Sequence, residues 1–205
     1  MFAVPTNLAA LRILEGKYRR RPLQCLPSPR VRPTARRLRE ALFDFLGARI
    51  LDARFVDLCA GSGAVGLEAL SRGAAHVTFV ERSVKICSFI EGNLKRCEVP
   101  QEQAEVILGD AIEFLRRATI HESAMWDIAF FDPPYATDYA PVLAFFGEGA
   151  TLKRKRGVLV VEHHGDNRLP ETVGTLRRWR IIRQGESCLS FYERQKSGAR
   201  IQKPE

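Results

Sequence analysis

From residue 54 onward, short apolar runs alternate with stretches in which apolar positions recur every three or four residues. The runs Arg54–Leu58, His76–Glu81, Glu105–Gly109, Trp126–Asp132 and Gly157–His163 are rich in Val, Ile and Phe, as strands buried on both faces are. Between them Ala64–Arg72, Val84–Arg96, Ala111–Ala118 and roughly Tyr139–Gly147 have helical spacing. This alternation predicts an α/β fold, a parallel sheet with helices on both faces. The segment Thr175–Arg194 reads instead as two strands joined by a turn at Gln184–Ser187, so the sheet is expected to end in an antiparallel hairpin.

The first fifty residues follow another pattern. R-I-L-E-G-K-Y-R-R-R-P-L-Q-C-L (Arg12–Leu26) sets β-type residues around a glycine and an arginine cluster, as a short hairpin or arm would. Pro27, Pro29 and Pro33 then interrupt regular structure. Thr34 has the chemistry of a helix N-cap, Leu38, Ala41, Leu42, Phe45 and Leu46 follow at helical spacing, and Gly47 can stop the helix. The implied division is a basic arm over residues 1–33, an α/β domain over 34–194 and a polar tail over 195–205.

Composition narrows the setting. A chain of 205 residues, 45% hydrophobic, is long enough for one domain with a substantial core. It has no apolar run of membrane-spanning length, and its N-terminus is apolar before it is basic, the reverse of a secretory signal. Five cysteines without a C-x-x-C pair argue against a disulfide framework or a zinc site, and a reducing cytoplasm fits. The formal charge of +8 is unevenly placed: residues 1–54 hold twelve Lys and Arg against four Asp and Glu, and residues 55–205 hold twenty of each. A basic arm on a neutral body suits a polyanionic partner, although a solvated basic face has the same composition.

The first strand runs into D-L-C-A-G-S-G-A-V-G (Asp57–Gly66), where Gly61, Gly63 and Gly66 fit the G-x-G-x-x-G fingerprint between strand and helix. Glu81 ends the next strand, where a carboxylate can accept from both hydroxyls of a ribose. A nucleoside site lined by Ala60, Gly61, Ser62 and Gly63 follows, and a valine at Gly63 is expected to exclude the ligand sterically. Asp57 would repel a pyrophosphate on the following helix but attract the ammonium and sulfonium of S-adenosylmethionine. Capping of the loop is the other reading of Asp57. Asp110 follows the third strand; it can accept from an adenine amino group while the Ala111 amide donates to the ring, or it can cap the next helix.

The fourth strand ends in F-D-P-P-Y (Phe131–Tyr135). Pro133 and Pro134 fix φ and remove two backbone donors, so the loop offers carbonyls, and Asp132 adds a carboxylate. Such an acceptor group suits a planar amino group, and Tyr135 offers a ring on which a base can stack. Asp132, Pro133, Pro134 and Tyr135 are therefore the candidate catalytic residues. His163 and His164, Cys59 and the Arg154–Arg156 run read more simply as structural or solvated positions.

These motifs together resemble the amino-methyltransferases of DNA, RNA and glutamine. More narrowly the chain resembles the bacterial 16S rRNA guanine-N2 methyltransferase family, the RsmD-like enzymes. The resemblance rests on Arg12–Leu23, R-P-T-A-R-R-L-R-E-A-L-F (Arg32–Phe43), G-S-G-A-V-G-L-E-A-L-S-R-G-A (Gly61–Ala74), D-P-P-Y and L-S-F-Y (Leu189–Tyr192). It departs at Leu14, Glu15, Cys59 and Gln184–Ser187. It implies a seven-stranded Rossmann-like class I methyltransferase fold, S-adenosylmethionine as methyl donor, no metal, and Thr34 near the methionine carboxylate of the cofactor. The implied partner is small-subunit rRNA, free or in an assembling subunit, acted on by a monomer in the cytoplasm. Arg19, Arg20, Arg21, Arg32, Arg36 and Arg39 are the candidate RNA contacts, with Arg36 and Arg39 on one helix face. The rival readings are a DNA adenine or protein glutamine methyltransferase with the same core, and a non-catalytic RNA-binding module.

Overall fold

The structure is a computed structural model that describes residues 11–25, 33–118, 125–134, 137–149, 151–153 and 157–195, with residues 33–35 described by backbone only. After a small hairpin the elements run α1 (Pro33–Leu46), β1 (Arg54–Leu58), α2 (Ala64–Ser71), β2 (His76–Glu81), α3 (Val84–Arg96), β3 (Ala104–Leu108), α4 (Ala111–Ala118), β4 (Ile128–Phe131), α5 (Ala140–Glu148), β5 (Val158–His164), β6 (Thr172–Val173), β7 (Leu176–Gln184) and β8 (Ser187–Arg194). They form one sheet in the order β3-β2-β1-β4-β5-β8-β7-β6. β1 to β5 pair in parallel, and β8, β7 and β6 extend the sheet antiparallel.

The expected architecture is therefore present, with β6, a two-residue strand, as an eighth member at the edge. β4 is shorter than its apolar run because Trp126 leaves the ladder to bridge Leu152 and the Asp127 carboxylate accepts the Arg54 amide at 2.9 Å. Gly47 ends α1 as expected, with a left-handed φ of 50°, and a 3-10 turn, Gly47–Ile50, then carries Ile50 into the core.

Strand alternation sorts the core into two layers. Phe55, Ile128, Phe130, Val158 and Val160 face α1, α2 and α3. Val56, Leu58, Ala129, Phe131, Leu159 and Val161 face α4 and α5. Each Val, Leu, Ile or Phe among them withdrawn from water contributes roughly 1.5–3 kcal/mol. The third glycine of the fingerprint belongs to this packing: a Cβ on Gly66 would lie 2.3 Å from the Phe79 ring, so α2 settles on β2 only with glycine there.

The described part of the arm is docked on the same core. Arg12 and Pro22 form its antiparallel bridge, and Ile13, Tyr18 and Leu23 are buried with α1, α2 and α3. Polar anchors come from α2. The Leu14 and Glu15 amides donate to Glu68 at 2.7 and 3.0 Å, and Ser71 takes the Tyr18 amide on Oγ at 2.9 Å and the Lys17 amide on its carbonyl at 2.8 Å. Gly16, with φ of 82°, is required there, since a Cβ would fall 1.8 Å from the Ser71 carbonyl. Glu68 has no solvent exposure and also pairs with Arg72 at 2.8 Å and Arg39 at 3.9 Å.

Glu68→Ala should accordingly cost about 3–5 kcal/mol, because it strands two enclosed guanidinium groups and two amides. Urea unfolding checks this. A loss below about 1 kcal/mol would show that the hairpin is held by its apolar residues alone.

Candidate functional site

The strand order reverses between β1 and β4, and the loops after β1, β2, β3 and β4 leave the sheet at one edge. In open α/β sheets that crevice binds the ligand. The loop after β1 is a left-handed turn, with φ of 64° at Cys59, 54° at Gly61 and 72° at Gly63. Its amides reach back into the sheet, Ala60 donating to the Val80 carbonyl at 3.0 Å and Gly63 to the Ala60 carbonyl at 2.8 Å. The Ser62 carbonyl accepts from the Asn93 side chain at 3.4 Å, and Asn93 also holds both the amide and the carbonyl of Gln24. Asn93, which is buried and which the sequence reading did not single out, thus joins the end of the hairpin to the glycine loop. A polar residue at a core position of an amphipathic helix was the available signal.

Two carboxylates hold the loop from below. Asp57 is 2% exposed and accepts the Gly66 amide at 3.0 Å. Burial drives its carboxyl well above the usual range; the Gly66 amide opposes this, and Asp132 and Glu81 add to it. The capping reading of Asp57 is thus realised, while the charge argument rests on its position. Glu81 accepts the Gly61 amide at 3.0 Å on one oxygen and the Ser83 amide at 2.9 Å on the other. Each oxygen keeps a lone-pair direction for a ribose hydroxyl.

Asp110 caps α4, its Oδ1 accepting from Ile112 at 2.9 Å and Glu113 at 3.2 Å, and its side chain is exposed. The Ala111 residue behind it is buried. Asp132 is exposed at the end of β4, its amide donating to the Leu58 carbonyl at 3.4 Å. Pro133 is buried and Pro134 exposed, and the Pro134 carbonyl is taken by the Thr137 amide at 2.9 Å. Tyr135, Arg32, Arg154–Arg156 and the Thr34 side chain lie outside the described residues.

Cys59 sits within the field of these groups. Its thiol is pushed up to about 12, by burial first and then by Glu81, Asp132, Asp57 and Asp110. The fold therefore gathers the four sequence-identified carboxylates around one turn. A fifth, Glu162 on β5, follows the residue paired with Phe131 and was not anticipated; a charged residue near the end of an apolar strand was its signal. Anionic ligands meet repulsion here, whereas an ammonium or sulfonium is attracted. The residues fit S-adenosylmethionine: glycine turns for close approach, Glu81 for the ribose, Asp110 and the Ala111 amide for the purine, and the group of carboxylates for positive charge.

One expectation changes. A Cβ on Gly63 would meet Ile90 at 3.2 Å and Phe79 at 3.4 Å, both inside the protein, so Gly63→Val would act through backbone strain and core crowding and not by filling the ligand's space. At Gly61 a Cβ would meet, among the described residues beyond its chain neighbours, just the Cys59 carbonyl at 3.9 Å, so a side chain there has room.

The arginines separate into two groups. Arg19, Arg20 and Arg36 are exposed, Arg36 paired with Glu40 at 2.9 Å. Arg21 instead donates to the Arg96 carbonyl and lies 3.5 Å from Glu98, tying the hairpin to α3. Arg39 does not share the outward face with Arg36. It is 7% exposed and donates to the Arg12 carbonyl at 2.6 Å, because its helical position points it at Glu68 and the hairpin backbone. His163 is enclosed between the His164 carbonyl, 2.8 Å from Nδ1, and the Ser190 hydroxyl, 2.9 Å from Nε2, and burial lowers its pKa. Among the described residues no three His, Cys, Asp or Glu are placed to hold a metal ion, and no helix is long and apolar enough to cross a membrane.

A glycine turn after β1, an acid ending β2 and a D-P-P loop after β4, on a sheet of this order, define a class I methyltransferase fold. Residues 11–193 match the family described as "Conserved hypothetical protein 95", and the chain belongs to that family, the RsmD-like proteins. It is 33% identical over 184 residues to the "Putative rRNA methyltransferase YlbH" of Bacillus subtilis, covering 90% of this chain and 99% of the relative. It is 33% identical over 192 residues to the "Ribosomal RNA small subunit methyltransferase D" of Escherichia coli, covering 92% of each. A solved structure, "Putative methyltransferase yhhF from Escherichia coli", superposes with a TM-score of 0.77 at 31% identity, over 90% of this chain and 97% of that one.

Two measurements test this cup of carboxylates around the glycine turn. Because its pKa stands near 12, Cys59 should resist alkylation at pH 8, where only about one thiol in ten thousand would be ionised. Rapid labelling of Cys59, located by peptide mass spectrometry, would contradict the carboxylate field. Glu81→Ala should weaken S-adenosylhomocysteine binding by about tenfold or more in calorimetry, each lost hydrogen bond to a charged group being worth about 1.5–3 kcal/mol.

Proposed function

We propose that this protein transfers a methyl group from S-adenosylmethionine to the exocyclic N2 of a guanine in small-subunit rRNA. The observation that carries the reading is the meeting of the Asp132 loop and the nucleoside cup at the reversal point of the sheet. Relatives at 33% identity named for rRNA methyl transfer support the choice of substrate.

S-adenosylmethionine supplies an electrophilic methyl when bound. The residues of this chain do the rest. Glu81 and the glycine turn fix the nucleoside half, and Asp57 with its neighbours favours the charged half. At the end of β4, Asp132 and the Pro133 carbonyl accept from the guanine amino group, whose lone pair is otherwise delocalised into the ring. These acceptors favour rehybridisation and stabilise the cation that develops as the N–C bond forms and the C–S bond breaks. The amino proton then leaves to Asp132 or to water. The RNA is held by Arg32 and the exposed Arg19, Arg20 and Arg36, while the base is turned out of its stack to reach the loop. The protein works as a cytoplasmic monomer on rRNA free or in an assembling subunit, with Tyr135 stacking on the base and Thr34 near the methionine carboxylate.

Asp132→Ala is expected to leave S-adenosylhomocysteine affinity within about threefold of wild type and to cut single-turnover methylation by about a hundredfold or more, the size seen when one transition-state acceptor or donor is removed. Near-normal turnover would refute the role of Asp132. Replacing Arg19, Arg20 and Arg36 together by Ala should flatten the slope of log K against log salt for RNA binding by about 2, from roughly 0.7 per phosphate contact on single-stranded RNA. Identical slopes would move RNA recognition off this face.

A further inference from the structure

We propose that Glu162 is the residue that selects guanine, by accepting from the base's ring N1–H while Asp132 accepts from its 2-amino group. The inference rests on the guanine-N2 reading above and assigns the part of the base that reading leaves uncontacted.

The geometry comes from the pairing of β4 with β5. Phe131 lies opposite Val161 in the parallel ladder, so the next residues, Asp132 and Glu162, are neighbours across the two strands. Adjacent parallel strands run about 4.8 Å apart, and residues in register leave the same face of the sheet. That face is the one carrying Asp57, because Phe55, Phe130 and Val160 point to it from the three strands. On its other side Glu162 pairs in register with Leu189, an apolar residue of β8. Glu162 is partly exposed and Asp132 exposed, both near the carboxyl ends of their strands, where the crevice lies. Burial, and then the charge on Asp132, holds the Glu162 carboxyl well above its ordinary range.

Two carboxyl groups so placed disfavour joint ionisation unless donors stand between them. The Watson–Crick edge of guanine offers two adjacent donors, N1–H and the 2-amino group. Adenine has an acceptor at N1 and no 2-amino group. Binding guanine therefore supplies the hydrogens that let both carboxyl groups be charged, whereas a base with a bare N1 is held only by the protonated form of Glu162. Discrimination of this kind is worth about tenfold or more per base-reading contact.

The test uses 2,6-diaminopurine, which keeps the 2-amino group but has an acceptor at N1. Small-subunit rRNA carrying either guanine or 2,6-diaminopurine at the position the wild type methylates is built by splinted ligation, reconstituted with ribosomal proteins and methylated in competition. Wild type should prefer guanine by about tenfold or more. Glu162→Gln can present either its carbonyl or its amide nitrogen to N1, so it should methylate both bases with a preference near one, at unchanged S-adenosylhomocysteine affinity. Glu162→Asp, which keeps the charge, should retain the guanine preference at a lower rate. A Gln variant with the wild-type preference, or equal loss on both bases in the Gln and Asp variants, overturns the proposal. If the wild type places no methyl on a guanine N2, the substrate reading falls and this inference with it. If it does, and only the Gln ratio fails to move, the role of Glu162 alone is lost.

Discussion

Carboxyl groups crowd the carboxyl edge of this sheet, and backbone amides are aimed at three of them, Asp57, Glu81 and Asp110. Asp57 is almost wholly enclosed, yet it keeps the Gly66 amide, and Glu81 takes amides from Gly61 and Ser83. Those amides belong to a left-handed turn and to chain leading into the next helix, groups with no partner inside a helix of their own. The same bonds therefore stabilise the anions and set the shape of the turn. They also decide what binds: an edge with Asp57, Glu81, Asp110, Asp132 and Glu162 favours ligands that bring positive charge or hydrogen-bond donors. A sulfonium nucleoside and the amino edge of a purine both meet that requirement.

The basic arm and the acidic cup are mechanically joined. Glu68 ties the hairpin backbone to α2, and α2 begins at the glycine turn. Asn93 links Gln24, just beyond the hairpin, to the Ser62 carbonyl of the same turn. A displacement of the hairpin would thus bear on the elements that carry the glycine turn. Exposed cations include Arg19 and Arg20 on the hairpin, Arg36 on α1 and Arg177, Arg180 and Arg183 on β7, while Arg39 and Arg72 are held in pairs with the buried Glu68.

Much of the site was legible in the chain because it depends on local rules. The glycine turn needs residues that accept positive φ, the D-P-P loop needs proline, and both stand at strand ends marked by apolar runs. Arg39 could not be read this way. Its spacing from Arg36 suggested a shared outward face, but the hairpin covers that side of α1 and supplies a carbonyl at 2.6 Å. Gly63 is similar: the fingerprint suggested that its missing side chain makes room for the ligand, whereas Ile90 and Phe79 occupy the space. In both cases the deciding neighbour lies far away in sequence.

The sequence by itself determined the alternation of strands and helices, the antiparallel end of the sheet, the glycine turn, and the acids that close β1 and β2, because each follows from backbone preference or hydrophobic period within a few residues. Tertiary structure decided the pairing of β4 between β1 and β5, the extra edge strand β6, and the docking of the hairpin on Glu68 and Ser71. It also decided that Asp132 and Glu162, thirty residues apart, stand side by side. Those outcomes depend on contacts between distant segments, where burial of the two faces of the sheet, and not local propensity, selects the arrangement.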